Sequence, residues 1–438
     1  MEISAYYIII ACSIIVIISF LFSGVARRTN IPSVLMLIVL GLVLKPLMDS
    51  YGFGESQLFP VLEVLGIVGL IMIVLEAAIE LELKREKLWP IFKAFGVALV
   101  GLVGSAWVAA IILYEFVPGM DMGHAWLYAT PLSILSSAII IPSVQSLKPK
   151  KKEFHIYEST FSDILGIMMF YFVESQLEST SEGSGVPEFA VNLGLTLLIS
   201  FVASYLLVFV FQRLKGHTKL FLLISVLMLL YAVGKQMHLS SLIIILIFGL
   251  LVRNMKVFWR GPIAKFNDPE KAKGIYDGLH VITMETAFVV RTFFFVIFGM
   301  TIVLSHLFYV DVAIISGLIL VSIYAIRFII LRISEGPDIL PQVFIAPRGL
   351  ITILLFYAIP EEMKIEGFEP GVLLFLIITT SLIMTFALIY DKRRTGEAIK
   401  QAKNRLIGTQ AWKAPSADSL EDSHHSEVQT EKVNQEQE

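Results

Sequence analysis

Apolar residues run through this chain in continuous blocks of roughly 20, divided by short polar or charged stretches. Thirteen blocks can be placed, near residues 5–24, 31–48, 60–82, 89–116, 124–146, 155–176, 188–212, 219–236, 238–252, 276–305, 308–331, 338–360 and 370–390. At about 1.5 Å of rise per residue, most can carry a helix across a hydrocarbon core about 30 Å thick. A membrane β-barrel would show shorter, strictly alternating segments. The pattern predicts an all-α polytopic membrane protein of about 13 transmembrane helices. Only Gly234-Lys235-Gln236-Met237-His238 divides the eighth block from the ninth. The first block lacks a basic leader and a small-residue cleavage site, so Tyr6 to Phe22 reads as a retained span.

Charge sorts the loops into two sets. Taken alternately from the first, one set carries Arg27-Arg28, Lys84-Arg85 with Lys87, Lys148 with Lys150-Lys151-Lys152, and Arg213 with Lys215 and Lys219. It continues through Arg253 to Lys273, Arg332 and Lys392-Arg393-Arg394. The other set carries Asp49, Glu55, Asp121, Glu174, Glu178, Glu182 and Glu361-Glu362, with Lys235 and Lys364 as basic exceptions. Basic loops stay cytoplasmic, which predicts an outside N-terminus, a cytoplasmic C-terminus and an odd number of spans. Composition agrees: 56% hydrophobic and 16% charged residues, with a mean hydropathy of +0.78, exclude an ordinary soluble domain. The net charge of -3 averages over the loop asymmetry and says little about partners. A single cysteine, Cys12, excludes a disulfide framework or a cysteine metal site. Residues 391–438 begin basic, turn acidic and Gln/Ser-rich, and read as a largely disordered cytoplasmic tail, with a solvated stub or a short surface helix over Thr395 to Ile407.

Against this apolar background the most informative residue is Asp163, in the middle of the sixth block. An acid at that depth is expensive and marks function. A partly dry carboxylate readily holds a proton, and it is also a hard oxygen ligand for a small cation. Cation/proton exchange is the chemistry this implies. Ser159 lies one turn earlier on the same face. Glu158 is about 140° away around the helix and roughly 7 Å along it, so it faces elsewhere, with Ser162 on its side. A buried Glu158 needs a partner, and Arg327 in the eleventh block supplies one, as a structural clasp or as part of transport. Arg291 in the tenth block and Arg348 in the twelfth are the other deep cations. Glu76, near the end of the third block, reads as a vestibule acid or as a hydrogen-bonded packing residue. Glu80 and Lys84 make an i,i+4 boundary pair.

Two blocks carry helix-breaking sequence at membrane depth. The twelfth contains Ala346-Pro347-Arg348-Gly349-Leu350, and the fifth contains Thr130-Pro131 followed by Leu135-Ser136-Ser137-Ala138-Ile139-Ile140-Ile141-Pro142-Ser143. Broken backbone there is tolerated only where it lines a cavity or is buried in protein, and two such spans in corresponding halves point to a transport site. Six spans on either side of the seventh imply an inverted repeat with crossing helices at spans 5 and 12.

These residues resemble the cation/proton antiporter superfamily, specifically the sodium/proton exchangers. Glu158-Ser159-Thr160-Phe161-Ser162-Asp163 is similar to that family's Glu-Ser-x-x-Asn-Asp pattern, with Ser162 in place of Asn. Pro347-Arg348-Gly349-Leu350 is similar to its Leu-Arg-Gly-Ala stretch, and Arg291-Thr292-Phe293-Phe294-Phe295-Val296-Ile297-Phe298-Gly299-Met300 to its phenylalanine-rich helix. The resemblance covers roughly residues 5–390. It implies that Asp163 binds the transported Na⁺ and the proton, and that Glu158 and Arg327 form a stabilising pair. The family's Thr-Asp-Pro is replaced by Ser136-Ser137-Ala138, closer to the branch that includes potassium/proton transporters; coordination there would use hydroxyls, carbonyls and water. The resemblance also implies a homodimer, a moving core of spans 4–6 and 11–13, a scaffold of spans 1–3 and 8–10, and span 7 as linker.

The expected activity is secondary antiport of Na⁺ or Li⁺ against H⁺, with both cargoes competing for Asp163. One acid at the site, and an arginine that stays protonated in place of a titrating lysine, favour one-for-one electroneutral exchange. A K⁺/H⁺ antiporter, and a gated cation channel or membrane sensor, remain open as alternatives. No nucleotide loop or clustered metal set appears in the spans, so no enzyme, cofactor or nucleic-acid partner is expected. Short loops favour a bacterial inner (plasma) membrane.

Overall fold

The structure, a computed structural model, describes residues 5–29, 31–50, 55–83, 87–178, 185–213, 219–236, 241–258, 269–301 and 309–408. Its helices in chain order are α1 (Ala5–Thr29), α2 (Ser33–Ser50), α3 (Glu55–Glu80), α4 (Leu88–Phe116), α5 (Met122–Ser133), α6 (Ser137–Ser143), α7 (Pro149–Glu178), α8 (Gly185–Arg213), α9 (Lys219–Gln236), α10 (Ser241–Arg253), α11 (Met255–Phe258), α12 (Pro269–Thr301), α13 (Val310–Glu335), α14 (Leu350–Tyr357) and α15 (Gly371–Gly408). No strand occurs among the described residues. Each of the thirteen apolar blocks falls on a helix or a broken one, the fifth on α5 with α6 and the twelfth on α14 with the turn before it. Among the described residues, seven helical stretches are long and apolar enough to cross a membrane, one of them the α5–α6 pair. The eighth and ninth blocks are separate helices, α9 and α10.

One difference from the sequence reading has a local cause. The leading half of the twelfth span is not helical: a 3-10 turn at Gln342–Phe344 and an irregular stretch to Gly349 precede α14. Pro341 and Pro347 bracket this segment, and each pushes its predecessor out of helical geometry. At the other end of the chain, α15 continues through residues 391–408, so that of the two readings of the tail's start the helix over Thr395 to Ile407 is the one found, as an extension of the last span. The chain divides into two compact units, Met1–Ile389 and Tyr390–Glu438, and residues 409–438 of the expected tail lie outside the described ones.

Within the first unit α12 packs on α2 and α3, and α10 on α3, α8 and α9, while α4 packs on α5, α7 and α13. Apolar side chains surround most helices, and the outer faces remain apolar: Trp89, Phe92, Val321 and Phe386 are among the exposed ones. The end rich in lysine is tied by ion pairs, Lys93 to Glu335 at 2.7 Å, Lys151 to Asp338 at 3.0 Å, Arg253 to Glu82 at 3.1 Å, and Lys87 to Glu153. At the opposite end Asp121 opens α5 by accepting from the His124 N–H at 2.9 Å. Partial burial pushes the Asp121 carboxyl up, but the hydrogen bonds from His124 win and hold it below the ordinary carboxylate range.

The α2–α12 crossing depends on two glycines. A Cβ on Gly41 would lie 2.1 Å from the Val296 carbonyl oxygen, and one on Gly299 would lie 2.4 Å from that of Ile38. Neither obstacle is a flexible side chain, so any substituent must drive the helices apart. Gly299→Ala is expected to lower stability by roughly 1–3 kcal/mol, read as a fall in the thermal midpoint of the detergent-solubilised protein. Gly96→Ala on α4, where a Cβ meets nothing within 4 Å, should leave that midpoint unchanged or raise it slightly.

Candidate cation site at the crossing of two broken spans

The first broken span loses its helix after Ser133. Pro131 removes one donor from the ladder, and Thr130 and Ser133 turn their hydroxyls back onto the carbonyls of Trp126 and Ala129. Ile134 and Ser136 are extended, and α6 restarts at Ser137. The freed backbone groups find partners inside the protein. The Leu135 N–H donates to Ser162 Oγ at 2.9 Å, and the Ser136 N–H to the Pro347 carbonyl at 2.9 Å. The second bond joins the two broken spans directly. They approach so closely that a Cβ on Gly349 would sit 2.3 Å from Ser136 Oγ.

Two arginines complete the crossing. Arg348, 1% exposed, donates from Nε to the Leu132 carbonyl at 2.6 Å, placing a cation at the negative C-terminal end of α5, and its N–H donates to Thr380 Oγ1 on α15 at 3.0 Å. Arg327 on α13 grips Glu158 with both terminal nitrogens, at 2.8 and 3.0 Å, and donates from Nε to the Gln342 carbonyl at 3.1 Å. One side chain therefore neutralises the α7 carboxylate and satisfies the turn before α14. A cavity of about 30 Å³ beside this pair is lined by Ser105, Ser133, Glu158, Ser162, Arg327 and Arg348.

Asp163 lies on another face of α7, 2% exposed. Neither carboxylate oxygen has a hydrogen-bond partner. Its polar neighbour is Ser137, the first residue of α6, whose hydroxyl and backbone N–H approach the carboxylate without closing to a full hydrogen bond. A carboxylate thus sits against the N-terminal end of one half-helix while a guanidinium sits against the C-terminal end of the other.

Ser137 also lines a cavity of about 50 Å³ with Glu76, Glu80 and Arg291. That cavity shares Ala138, Pro142 and Arg291 with a larger one of about 200 Å³, which is lined by Ser19, Ser23, Ser33 and Ser143 and lies toward the lysine-rich end. Two neighbouring cavities, lined in part by hydroxyls and by Glu76, Glu80 and Arg291, therefore reach from that end to Ser137, the polar neighbour of Asp163. On the other side, a space of about 10 Å³ next to the carboxylate is walled by Ile73, Val74, Ile167, Leu242 and Leu246. The site is approached from one side and sealed by apolar side chains on the other.

The remaining sequence candidates divide between these features. Glu76 accepts from Arg291 at 3.0 Å across α3 and α12, so the deep cation of the tenth span is paired with the deep acid of the third. Ser159 donates to the His155 carbonyl at 2.7 Å and is fully buried. Ser162 brackets the break in the first crossing span and faces the Glu158 cavity. Ser136 packs at the crossing, and of the four serines Ser137 is the one set against Asp163. Sequence reasoning missed His155, fully buried with Nδ1 3.0 Å from Glu158 Oε2, although its i,i+3 spacing to Glu158 was a usable signal. It also read Glu174 as a loop acid, whereas that residue is buried inside α7.

The model of the transmembrane sodium/hydrogen exchanger family matches residues 14–389. Among solved structures, the sodium proton antiporter MjNhaP1 from Methanocaldococcus jannaschii at pH 8 superposes with a TM-score of 0.64 at 18% identity, covering 89% of this chain and 97% of that one. The electron-microscopy structure of the same antiporter gives a TM-score of 0.65 at 16% identity over 94% of this chain and 100% of that one. No curated protein matches the chain. The fold is thus that of a known antiporter, and the family model spans the bundle from α1 into α15, including both broken segments. On that match the chain belongs to the sodium/hydrogen exchanger family.

Proposed function

We propose that the protein exchanges Na⁺, and Li⁺ as a close analogue, for H⁺, with both cargoes competing for Asp163. The observation that carries this reading is a buried carboxylate with no hydrogen-bond partner, placed at the head of α6 where a polar cavity ends. An anion buried without compensation is unfavourable, and either a proton or a bound cation relieves it. Hydroxyls of Ser137 and Ser159, backbone carbonyls and water would complete an oxygen shell for a small hard cation.

Competition for one group makes the exchange obligatory. The site crosses the membrane readily when neutralised by one cargo or the other, and a bare carboxylate does not cross. Glu158 is held by Arg327 and His155, and arginine does not titrate in the working range, so one proton is exchanged for each monovalent cation. The transport is therefore electroneutral. A core of α4–α7 and α13–α15 moving against α1–α3 and α9–α12, with α8 as linker, would give alternating access. A homodimer in a bacterial plasma membrane, with the lysine-rich end cytoplasmic, fits the loop charges and the family.

Adding Na⁺ to acid-loaded proteoliposomes is expected to alkalinise the lumen, and Asp163→Asn to abolish the response at every pH. A response to K⁺ alone would keep the mechanism and change the cargo. In the native protein the Na⁺ concentration for half-maximal rate should rise as pH falls, approaching about tenfold per unit where the proton dominates the site; a pH-independent value would exclude competition.

Glu158 and Arg327 are assigned to the clasp. Glu158→Gln leaves a buried guanidinium without its carboxylate and should cost about 3–5 kcal/mol of stability, seen as poor accumulation or a lowered thermal midpoint. A purely structural clasp predicts that whatever Glu158→Gln protein does fold retains the native Na⁺ concentration dependence; a changed dependence in folded protein would place Glu158 in the transport chemistry.

A further inference from the structure

Arg291 is the charged side chain shared by the two cavities that lead from the lysine-rich end to Ser137. The larger, about 200 Å³, is lined by hydroxyls and apolar groups and has no other charged residue among the described ones. The smaller, about 50 Å³, adds Glu76 and Glu80 and reaches Ser137. The guanidinium therefore stands where one cavity gives way to the next. Its place on α12 is fixed by the following residue. Thr292 donates to the Phe288 carbonyl at 2.8 Å and lies 2.6 Å from the hydroxyl of Ser19, a buried pair that pins α12 to α1 at this level. The ion pair Arg291 makes differs from the clasp. Arg327 grips Glu158 through two nitrogens, whereas Arg291 reaches Glu76 through Nη2 alone at 3.0 Å, and its Nε has no hydrogen-bond partner. The two side chains are 20% and 22% exposed. A singly bonded, partly wet pair holds a fold only weakly.

For a passing ion, however, charge in a narrow space with apolar walls matters a great deal. A bare carboxylate at Glu76, with the Ser137 hydroxyl and water lining the same cavity, would be an oxygen site that retains a cation short of Asp163. A bare guanidinium there would repel the same cation. Paired, the two charges largely cancel, and a route works only where an ion is held strongly enough to enter and weakly enough to leave. We infer that Arg291, by occupying Glu76, sets how tightly the entry route holds the cation and so determines the Na⁺ affinity at the lysine-rich face. The inference rests on the antiport reading and adds to it an affinity-setting pair on the way to Asp163.

The test is a double-variant cycle, read as the half-saturating Na⁺ concentration for proton movement. It is measured in everted vesicles, which present the lysine-rich face, and in right-side-out vesicles, which present the other. Arg291→Gln is expected to lower that concentration at the lysine-rich face roughly fivefold, the effect of one uncompensated charge near the ion in a partly wet cavity, and to lower the maximal rate with it. Glu76→Gln should raise it by a similar factor, and the double variant should return close to the native value. Arg291→Lys, which keeps the charge, should recover most of the native dependence, and the acidic face should respond to none of these changes. A purely structural pair would instead lower the thermal midpoint in both single variants and move both faces alike. Shifts of the same sign in the two single variants, or none at the lysine-rich face, overturn the inference. If Arg291→Gln fails to accumulate, Glu76→Gln and the double variant decide: adding Arg291→Gln must reverse the Glu76→Gln shift, and failure to reverse it overturns the inference. Absence of exchange in the unsubstituted protein at both faces would instead overturn the antiport reading, and this inference with it.

Discussion

Backbone that leaves helical geometry at membrane depth must find its hydrogen bonds within the protein, because the hydrocarbon offers none. Here the two broken segments satisfy that demand largely for each other. The Ser136 N–H reaches the Pro347 carbonyl, the Leu132 carbonyl receives Arg348, and the Leu135 N–H is held by Ser162 of α7. Each bond needs its partner segment in register, so neither break is tolerable alone. The tight contact of Gly349 with Ser136 follows from the same demand: any larger residue would separate a donor from its acceptor. The crossing is thus a single unit of α5, α6, α7 and α14, braced from outside by Arg327 and Thr380.

That unit distributes charge in a way that leaves one group over. The C-terminal end of α5 has Arg348, the turn before α14 has Arg327, and Glu158 is consumed by Arg327 and His155. Asp163 belongs to no ion pair or hydrogen bond among the described residues. Beside it stand only the Ser137 hydroxyl and the N-terminal end of a helix of seven residues, among the described polar groups. Two acids five residues apart on one helix thereby acquire opposite characters. One is locked by a bidentate guanidinium, and the other is left to whatever small cation or proton can reach it.

Much of this was legible in the sequence, for identifiable reasons. Span number and type follow from long apolar runs, and the α7 acids stand out because charge at depth is rare. The pairing of Glu158 with Arg327 could be argued because a buried acid demands a cation and few deep cations exist. Less legible was anything that depends on which face a short polar residue takes. Helix periodicity could place Ser162 on the Glu158 side, where it lines that cavity, but not show that Ser159 turns back on its own helix, that Ser136 packs at the crossing or that Ser137 is the one that meets Asp163. Glu174 illustrates a different blindness. An acid near the end of an apolar run looks like the start of a loop, and only the continuation of α7 through Glu178 shows that it is inside. The missing first half of the twelfth span is a third case: its hydropathy was right, but two prolines six residues apart confine it to a 3-10 turn and irregular backbone.

The pairing of the deep arginines also bears on why exchange should be tightly coupled. Arg291, Arg327 and Arg348 are each bound to oxygen acceptors, to Glu76, to Glu158 and to backbone carbonyls respectively. None is free to swing toward Asp163 without abandoning a buried partner, a change costing several kcal/mol. An arginine able to reach the carboxylate would neutralise it internally, and the site could then cross the membrane without cargo, which is leak. In the proposed exchange, holding these three deep arginines on other acceptors leaves neutralisation of Asp163 to mobile ions. In the proposed exchange the structural ion pairs therefore do more than stabilise the fold: by occupying the guanidinium groups, they keep the transport carboxylate dependent on sodium or a proton.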